Sequence, residues 1–370
     1  MTPSVDTALV VRLDSVGDVL LAGPAVRAVA AGARRVLLLC SPSGCAAGEL
    51  LPGVDQVLVW DCPWISAEPG KVRSDDVQGL VERLTGERIS VGVVLTSFHQ
   101  SPLPTALLLR LAGVDRIGAV STDYPGSLLD VRLRPGADIA EDLPEARRAL
   151  AVAEALGFTL PPGDTGSLAV HGFPETPTRS GRIRQVVLHP GVSVPARAWP
   201  AQHFAEVATA LATAGHEVLV TGGPGERALT AFVAGTRATD LGGRTDLAQL
   251  ASVLARADVI VAGNTGPAHL AAAVGTPVVS LFAPVVPAVR WAPYRVPHTL
   301  LGDQQAPCRD TRARVCPVPG HPCLTGVTVA DVVSAVESLL AERDRGERAS
   351  RLSTSSSTTS APIPATRDSS

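Results

Sequence analysis

The stretch DVIVAGNTGPAHLAAAVGTPVVSLF, residues 258–282, decides the fold. Residues 258–262 form an apolar, β-branched run of the kind buried on both faces of a parallel sheet. Residues 263–269 (GNTGPAH) form a small-residue turn that concentrates polar groups inside otherwise buried sequence. Residues 266–274 then have the length and composition of a helix, and 277–282 read as a second buried strand. A strand's carboxyl end that runs into a helix N-terminus is where open α/β sheets bind ligands. The free N–H groups and the helix dipole there suit a phosphate.

The same alternation extends in both directions. In the second half, strands are expected at 185–189, 217–221 and 239–241, with helices at 201–214, 224–235 and 246–256. In the first half, strands are expected at 8–13, 35–40, 56–60, 91–96 and 116–119. Helices are expected at 19–30, 77–84, 104–112 and 144–157. Strands alternating with helices of about ten residues make parallel, doubly wound sheets. Between the halves, residues 161–181 are rich in Pro, Gly, Ser and Thr and mark the boundary.

The fold class is therefore α/β, with two Rossmann-like domains facing across a cleft. Residues 1–160 form the first domain, 161–181 the linker and 182–345 the second domain. A last helix covers 329–341, and the Ser/Thr-rich tail 346–370 has too little apolar mass to fold.

Composition bounds the function. A chain of 370 residues with 45% hydrophobic content is long enough for two cores. Its 32 basic and 35 acidic residues leave a net charge of −3, so no global field recruits nucleic acid or an anionic membrane. The start, MTPSVDT, lacks the basic and apolar regions of a signal peptide. Residues 270–289 are uncharged, but Gly275, Pro277, Pro284 and Pro287 break them, which argues against a membrane span. The expectation is a soluble, cytoplasmic protein.

Six cysteines in such a chain read as reduced thiols. Cys308, Cys316, His321 and Cys323 cluster, but their C-x7-C-x4-H-x-C spacing lacks the C-x2-C knuckles of structural zinc sites. No metal is expected there.

Polar groups fall at four strand ends of the second half: His189 to Ser193 with Arg197, Gly222 to Glu226, Gly242 to Thr245, and Gly263 to His269. In a parallel sheet these share one edge. Glu226 can take a ribose diol or simply complement a helix dipole. Arg197 can clamp a diphosphate or lie solvated beside Trp199. Gly266 opens a helix N-terminus to a phosphate, and Thr265 can cap that helix or donate to a ligand. His269 reads by itself as a core histidine. In the first half, Asp18 sits at the first strand-to-helix junction, as a helix-start carboxylate or as a group facing the cleft.

Several segments together resemble glycosyltransferase family 9, the bacterial ADP-heptose:lipopolysaccharide heptosyltransferases of GT-B fold. They are RLDSVGDVLLAGPAVRAV, LTSFHQSPLPTALLLRLAGVDRIGA, HPGVSVPARAWPAQHFAEVATAL, VTGGPGER, the stretch quoted first with its upstream DLGGRTDLAQLASVLARA, and HPCLTGVT. The resemblance runs from residue 8 to about residue 340. It implies inverting, metal-independent sugar transfer from an ADP-sugar, with no separate cofactor.

By the same resemblance, Asp18 is the general base and Arg197 holds the diphosphate. Glu226 takes the ribose, Thr265 and Gly266 face the phosphates, and His269 lies near the donor sugar. Ser193, Gly223 and Asn264 complete the expected donor site. Two positions depart from the family pattern. Asn264 stands where an Asp is usual, and Arg197 stands where a Lys is usual. The absence of Asp-x-Asp agrees with metal independence.

The first domain is expected to bind the acceptor near Phe98, His99, Arg110 and the 63–74 loop. An anionic lipopolysaccharide acceptor would want a basic face, for which Arg12, Arg27, Arg73 and Arg110 are the candidates. A lipid-linked acceptor would bring the chain to the inner membrane surface; a glycan or small molecule would not. The competing readings are a nucleotide-sugar epimerase or hydrolase of the same architecture, and a non-catalytic nucleotide-sugar-binding protein.

Overall fold

The computed structural model describes residues 5–66, 69–97, 99–174 and 183–356. Phe98 and the latter part of the linker lie outside them.

The first domain has strands β1 (Val5–Arg12), β2 (Ala33–Cys40), β3 (Gln56–Val59), β4 (Val91–Leu95), β5 (Arg116–Val120) and β6 (Val131–Leu133). Its helices are α1 (Val16–Leu21), α2 (Gly23–Ala30), α3 (Cys45–Gly48), α4 (Ser74–Gly86), α5 (Leu103–Leu111) and α6 (Glu145–Ala155). The second domain has β7 (Gln185–His189), β8 (Glu217–Val220), β9 (Thr239–Asp240), β10 (Val259–Gly263), β11 (Val278–Leu281) and β12 (His298–Leu301). Its helices are α7 (Ala201–Thr213), α8 (Arg227–Ala234), α9 (Leu247–Arg256), α10 (Gly266–Ala273), α11 (Ala288–Trp291), α12 (Pro322–Thr325) and α13 (Val329–Ser356).

Each domain carries a six-stranded sheet, in the orders β3-β2-β1-β4-β5-β6 and β12-β11-β10-β7-β8-β9. The ladders within both are parallel. In both, the first strand of the domain lies centrally and the chain then winds outward to either side. The switch points, β1/β4 and β7/β10, are where such sheets bind ligands. Arg12, the last residue of β1, lies opposite both Cys40 and Leu95, so its backbone is at the middle of the first sheet's carboxyl edge.

Four local features differ from the sequence expectation. The single helix over 19–30 is two helices meeting at Ala22, because Pro24 has no N–H to continue the ladder. The edge strands β6 and β12 are too short to leave a periodic signal. Residues 224–226 form a 3-10 turn before α8 begins. The last helix runs on to Ser356, so the tail expected to be disordered from 346 is helical through 356. Its Glu, Arg and Ala residues are good helix formers and carry the turn-to-turn hydrogen bonds past the core.

One buried apolar cluster runs from the first domain into the second. It includes Val10, Val19 and Leu20 on one side and Ala268, Leu270 and Ala271 on the other. The contact between α1 and α10 is close. A Cβ on Gly17 would stand 2.8 Å from Cδ2 of His269, and one on Gly266 would stand 3.2 Å from Cγ1 of Val16. The described part of the linker is tied to both domains. Asp164 pairs with Arg27 of α2 at 2.6 Å, and the Ser252 hydroxyl of α9 donates to the Pro174 carbonyl at 2.6 Å. No helix among the described residues is long and apolar enough to cross a membrane.

Candidate active site

The two switch points face each other across a cleft of about 950 Å³. Leu13 to Asp18, Ser41 to Ser43, Ser97, His99 and Gln100 line it from the first domain. His189, Ser193, Arg197, Glu226 and the turn from Asn264 to His269 line it from the second.

Asp18 is the third residue of α1, where a carboxylate reaches back over the helix start. Its Oδ2 accepts from the Ser15 hydroxyl at 2.8 Å and from the Ser15 N–H at 3.4 Å. Its Oδ1 accepts from Arg12 Nη2 at 2.9 Å and from the Trp291 indole N–H at 3.3 Å. Burial alone would lift the pKa of Asp18. The Arg12 charge, with the Ser15 and Trp291 hydrogen bonds, outweighs burial and holds it below the usual carboxylate range. The group is thus ionised at neutral pH. The capping role and the cleft-facing role weighed for Asp18 hold together.

Arg12 is 3% exposed and serves several partners at once. Asp14 lies 3.0 Å from its Nε, Ser97 accepts from Nη2 at 3.0 Å, and Glu145 lies 3.8 Å from Nη1. Glu145 also meets Arg290 of the second domain at 3.4 Å. A buried ionic chain therefore runs Arg290–Glu145–Arg12–Asp18 across the domain interface. Asp14, which the sequence reading did not single out, accepts from Gln100 at 2.6 Å. Burial, reinforced by the neighbouring Asp18 charge, pushes Asp14 up to about 6 against the pull of Arg12 and Gln100.

On the second wall, Arg197 Nη1 donates to the Asn264 carbonyl at 3.0 Å, and its Nε has no hydrogen-bond partner among the described residues. Thr265 is the N-cap of α10 with extended backbone, and its hydroxyl makes only a long contact, 3.4 Å, with the Gly263 carbonyl. His269 is 4% exposed. Its Nδ1 is unpartnered among the described residues, and burial pushes its pKa down to about 4. It is a neutral imidazole with one ring nitrogen available beside the N-terminus of α10.

Glu226 lies over Gly191, whose lack of a side chain makes room for the carboxylate. Its Oε2 accepts from the Gly223 N–H at 2.7 Å. That bond occupies Gly223, which does not line the cleft, so the expectation of a donor contact from Gly223 is corrected. Asn264 is 4% exposed, and its amide bridges to the Ala283 backbone in both directions at 3.4 Å. Its side chain ties the end of β10 to the end of β11.

The expected acceptor residues divide. His99 lines the cleft. Arg12 is buried behind Asp18, a correction that follows from its place on the central strand between carboxylates. Arg110 bonds the Ser127 and Asp115 carbonyls and Asp130, away from the cleft. Arg27 pairs with Asp164, and Arg73 pairs with Asp75 on the surface. None of these four arginines lines the cleft. The cleft's cations are Arg197 and two that the sequence reading did not single out, Arg312 and Arg314.

These two come from the Pro- and Cys-rich loop considered above for zinc. There the His321 Nε2 is taken by the Ala196 carbonyl at 3.0 Å. Among the described residues no three His, Cys, Asp or Glu side chains gather to hold a metal.

Comparison with known proteins bears on the family and the fold. Residues 100–321 match glycosyltransferase family 9 (heptosyltransferase). Lipopolysaccharide heptosyltransferase 3 of Escherichia coli is 30% identical over 170 residues, covering 44% of this chain and 48% of that protein. The chain thus spans about half the length of the curated relatives it matches. The glycosyl transferase family 9 structure from Veillonella parvula superposes with a TM-score of 0.73 at 19% identity, covering 92% of this chain and 99% of that one. E. coli heptosyltransferase WaaC with ADP-2-deoxy-2-fluoro heptose superposes with a TM-score of 0.66 at 19% identity, covering 90% and 99%. At that identity the likeness shows the fold, two Rossmann-like domains of GT-B type. The family match covers more than half of the sequence, and the chain belongs to glycosyltransferase family 9.

Proposed function

We propose that this protein is an inverting glycosyltransferase that moves a sugar, heptose in the first instance, from an ADP-sugar to an acceptor hydroxyl. The observation that carries this reading is the opposition of an ionised Asp18 to a cationic wall across one cleft. Asp18 Oδ2 would accept the acceptor's proton as its oxygen attacks the anomeric carbon. The bond from that carbon to the diphosphate breaks, and ADP leaves with the electron pair. A single displacement from the face opposite ADP inverts the anomeric centre. The transition state is oxocarbenium-like, as in glycoside hydrolysis.

The charge that develops on the diphosphate needs fixed positive partners. Arg197 would supply the charge and the N-terminus of α10 its dipole, while neutral His269 could add only a hydrogen bond through Nδ1; Glu226 would take the ribose. With no Asp-x-Asp in the chain, this arrangement requires no bridging metal. The choice of ADP rests on the family and on the ADP-heptose analogue held by the WaaC structure.

Calorimetric titration with ADP, and with UDP as control, tests the reading. ADP should bind, Arg197→Ala should weaken it by about tenfold or more, and EDTA should leave it unchanged. Absence of ADP binding to the wild type would overturn the proposal.

A further inference from the structure

Asp14 and Asp18 both line the cleft just beyond the carboxyl end of β1, and the transfer above uses only Asp18. The two share one guanidinium. Arg12 Nε lies 3.0 Å from Asp14 Oδ2, and Arg12 Nη2 lies 2.9 Å from Asp18 Oδ1.

A closed ring of side chains fixes Asp14. Arg12 Nη2 donates to Ser97 Oγ at 3.0 Å, and the Ser97 N–H donates to Gln100 Oε1 at 2.9 Å. Gln100 Nε2 in turn donates to Asp14 Oδ1 at 2.6 Å, which leads back to Arg12. The Asp14 carbonyl accepts from the Ser41 hydroxyl at 2.7 Å, so its backbone is held as well.

The two carboxylates are unequally served. Asp18 accepts from the Ser15 hydroxyl and N–H, from Arg12 and from Trp291. Among the described residues, the Asp14 carboxylate accepts a hydrogen bond from Gln100 alone. The Arg12 Nε–H is aligned on no acceptor, so Asp14 Oδ2 meets a positive charge without a hydrogen bond. A carboxylate offers about four acceptor sites, and those of Oδ2 are unused. Burial and the Asp18 charge lift the group to about 6 against the pull of Arg12 and Gln100. A charge held at a cost inside a cleft points to function more readily than to packing.

We infer that Asp14 holds the acceptor: its Oδ2 accepts a hydrogen bond from a second hydroxyl while Asp18 takes the proton of the attacking one. This rests on the transferase reading above. Asp14 belongs to the first-domain wall, whereas Arg197 and Glu226, proposed for the donor, belong to the second. Its ligand is therefore a compound with more than one hydroxyl, as a saccharide has, bound on the acceptor side. Such a hydroxyl supplies the donor that neither Arg12 nor Gln100 gives to Oδ2.

The test uses Asp14→Asn, which keeps the size and an acceptor oxygen for Gln100, with ADP-heptose labelled in the sugar. A detergent extract of the producing cells supplies the acceptor. At dilute extract, transfer of label should fall by about tenfold or more, the worth of a lost hydrogen bond to a charged group. The loss should lie in the apparent KM for extract, so that concentrating the extract restores the rate. The KM for ADP-heptose should stay as in wild type. The variant should melt no lower than wild type at pH 7, because the amide carries none of the charge that the fold disfavours.

Unchanged transfer would overturn the inference while the transferase reading stands. A loss that persists at saturating extract would also overturn it, by placing Asp14 in the chemical step. A raised KM for ADP-heptose would overturn it by placing Asp14 on the donor. Lost transfer together with a lower melting temperature would do so as the mark of a structural partner of Arg12. If wild type binds ADP but moves no label into the extract, the transferase reading falls and this inference falls with it.

Discussion

The indole N–H of Trp291 in the second domain donates to Oδ1 of Asp18 in the first, across 3.3 Å and 273 positions of sequence. The carboxylate that would take the acceptor's proton is therefore held partly by the opposite domain. Trp291→Phe keeps the ring and removes the donor. One stabiliser of the ionised form is lost, so the Asp18 pKa should rise. The group acts as a base above its pKa and fails as pH falls through it. The acid limb of the pH profile of kcat/KM should move upward in the variant, with a loss of about tenfold or less at the optimum. An unmoved acid limb would separate Trp291 from the base.

Asp18→Asn removes the base but leaves Arg12 with Asp14 and Glu145. Turnover should fall by about two or more orders of magnitude. ADP affinity and melting temperature should stay close to wild type. Near-normal turnover would assign the base elsewhere, with Asp14 the next carboxylate to test.

Glu145 is 2% exposed and stands between Arg12 and Arg290. Replacing it with alanine leaves two buried guanidinium groups without it. Breaking a buried pair in this way costs about 3 to 5 kcal/mol. Thermal unfolding should come at a clearly lower temperature, and the domain interface should loosen. A melting temperature within a degree of wild type would show that the ionic chain does not couple the domains.

Much of this was legible in the sequence, and the parts that were not share a cause. Strands, turns and the shared sheet edge follow from period and glycine placement, which are local. Asp18, Arg197 and the 263–269 turn were legible because motif spacing fixes them on that edge. Glu145, Trp291, Arg312 and Arg314 were missed because each meets the site from another element or domain, which no local pattern encodes. Arg12 did carry a signal. It and Asp14 are two residues apart at the end of an apolar strand, so their side chains share a face and can pair. An arginine inside a central strand is more readily a buried partner than a surface cation.

Stability should fall with acidification. Burial pushes both His189 and His269 down to about 4. Between about 4 and 6.5 the unfolded chain binds protons that the folded chain does not, so lowering pH favours unfolding by an amount on the order of a few kcal/mol per histidine. Asp14, raised to about 6, acts in the opposite sense, since its folded form gains a proton first. Two histidines outweigh one carboxylate, so the melting temperature should drop between pH 7 and pH 5. His189→Gln keeps a hydrogen-bonding side chain for Thr221, the 2.9 Å partner of His189 Nδ1, and should flatten that drop. An equal slope in the variant would show that His189 does not govern it.

Asn264 offers the sharpest separation of structure from donor recognition. Its amide donates to the Ala283 carbonyl and accepts from the Ala283 N–H. A carboxylate can do only the second. In Asn264→Asp one oxygen would face the Ala283 carbonyl inside a buried turn, with a cost of about 1 to 3 kcal/mol. The variant should therefore unfold at lower temperature. Donor affinity should not improve, because the new charge is held toward β11 and adds a negative group near the place proposed for the diphosphate. If Asn264→Asp instead tightened ADP-heptose binding at unchanged stability, the side chain would be reaching the sugar. The amide bridge would then be incidental to why this chain carries Asn.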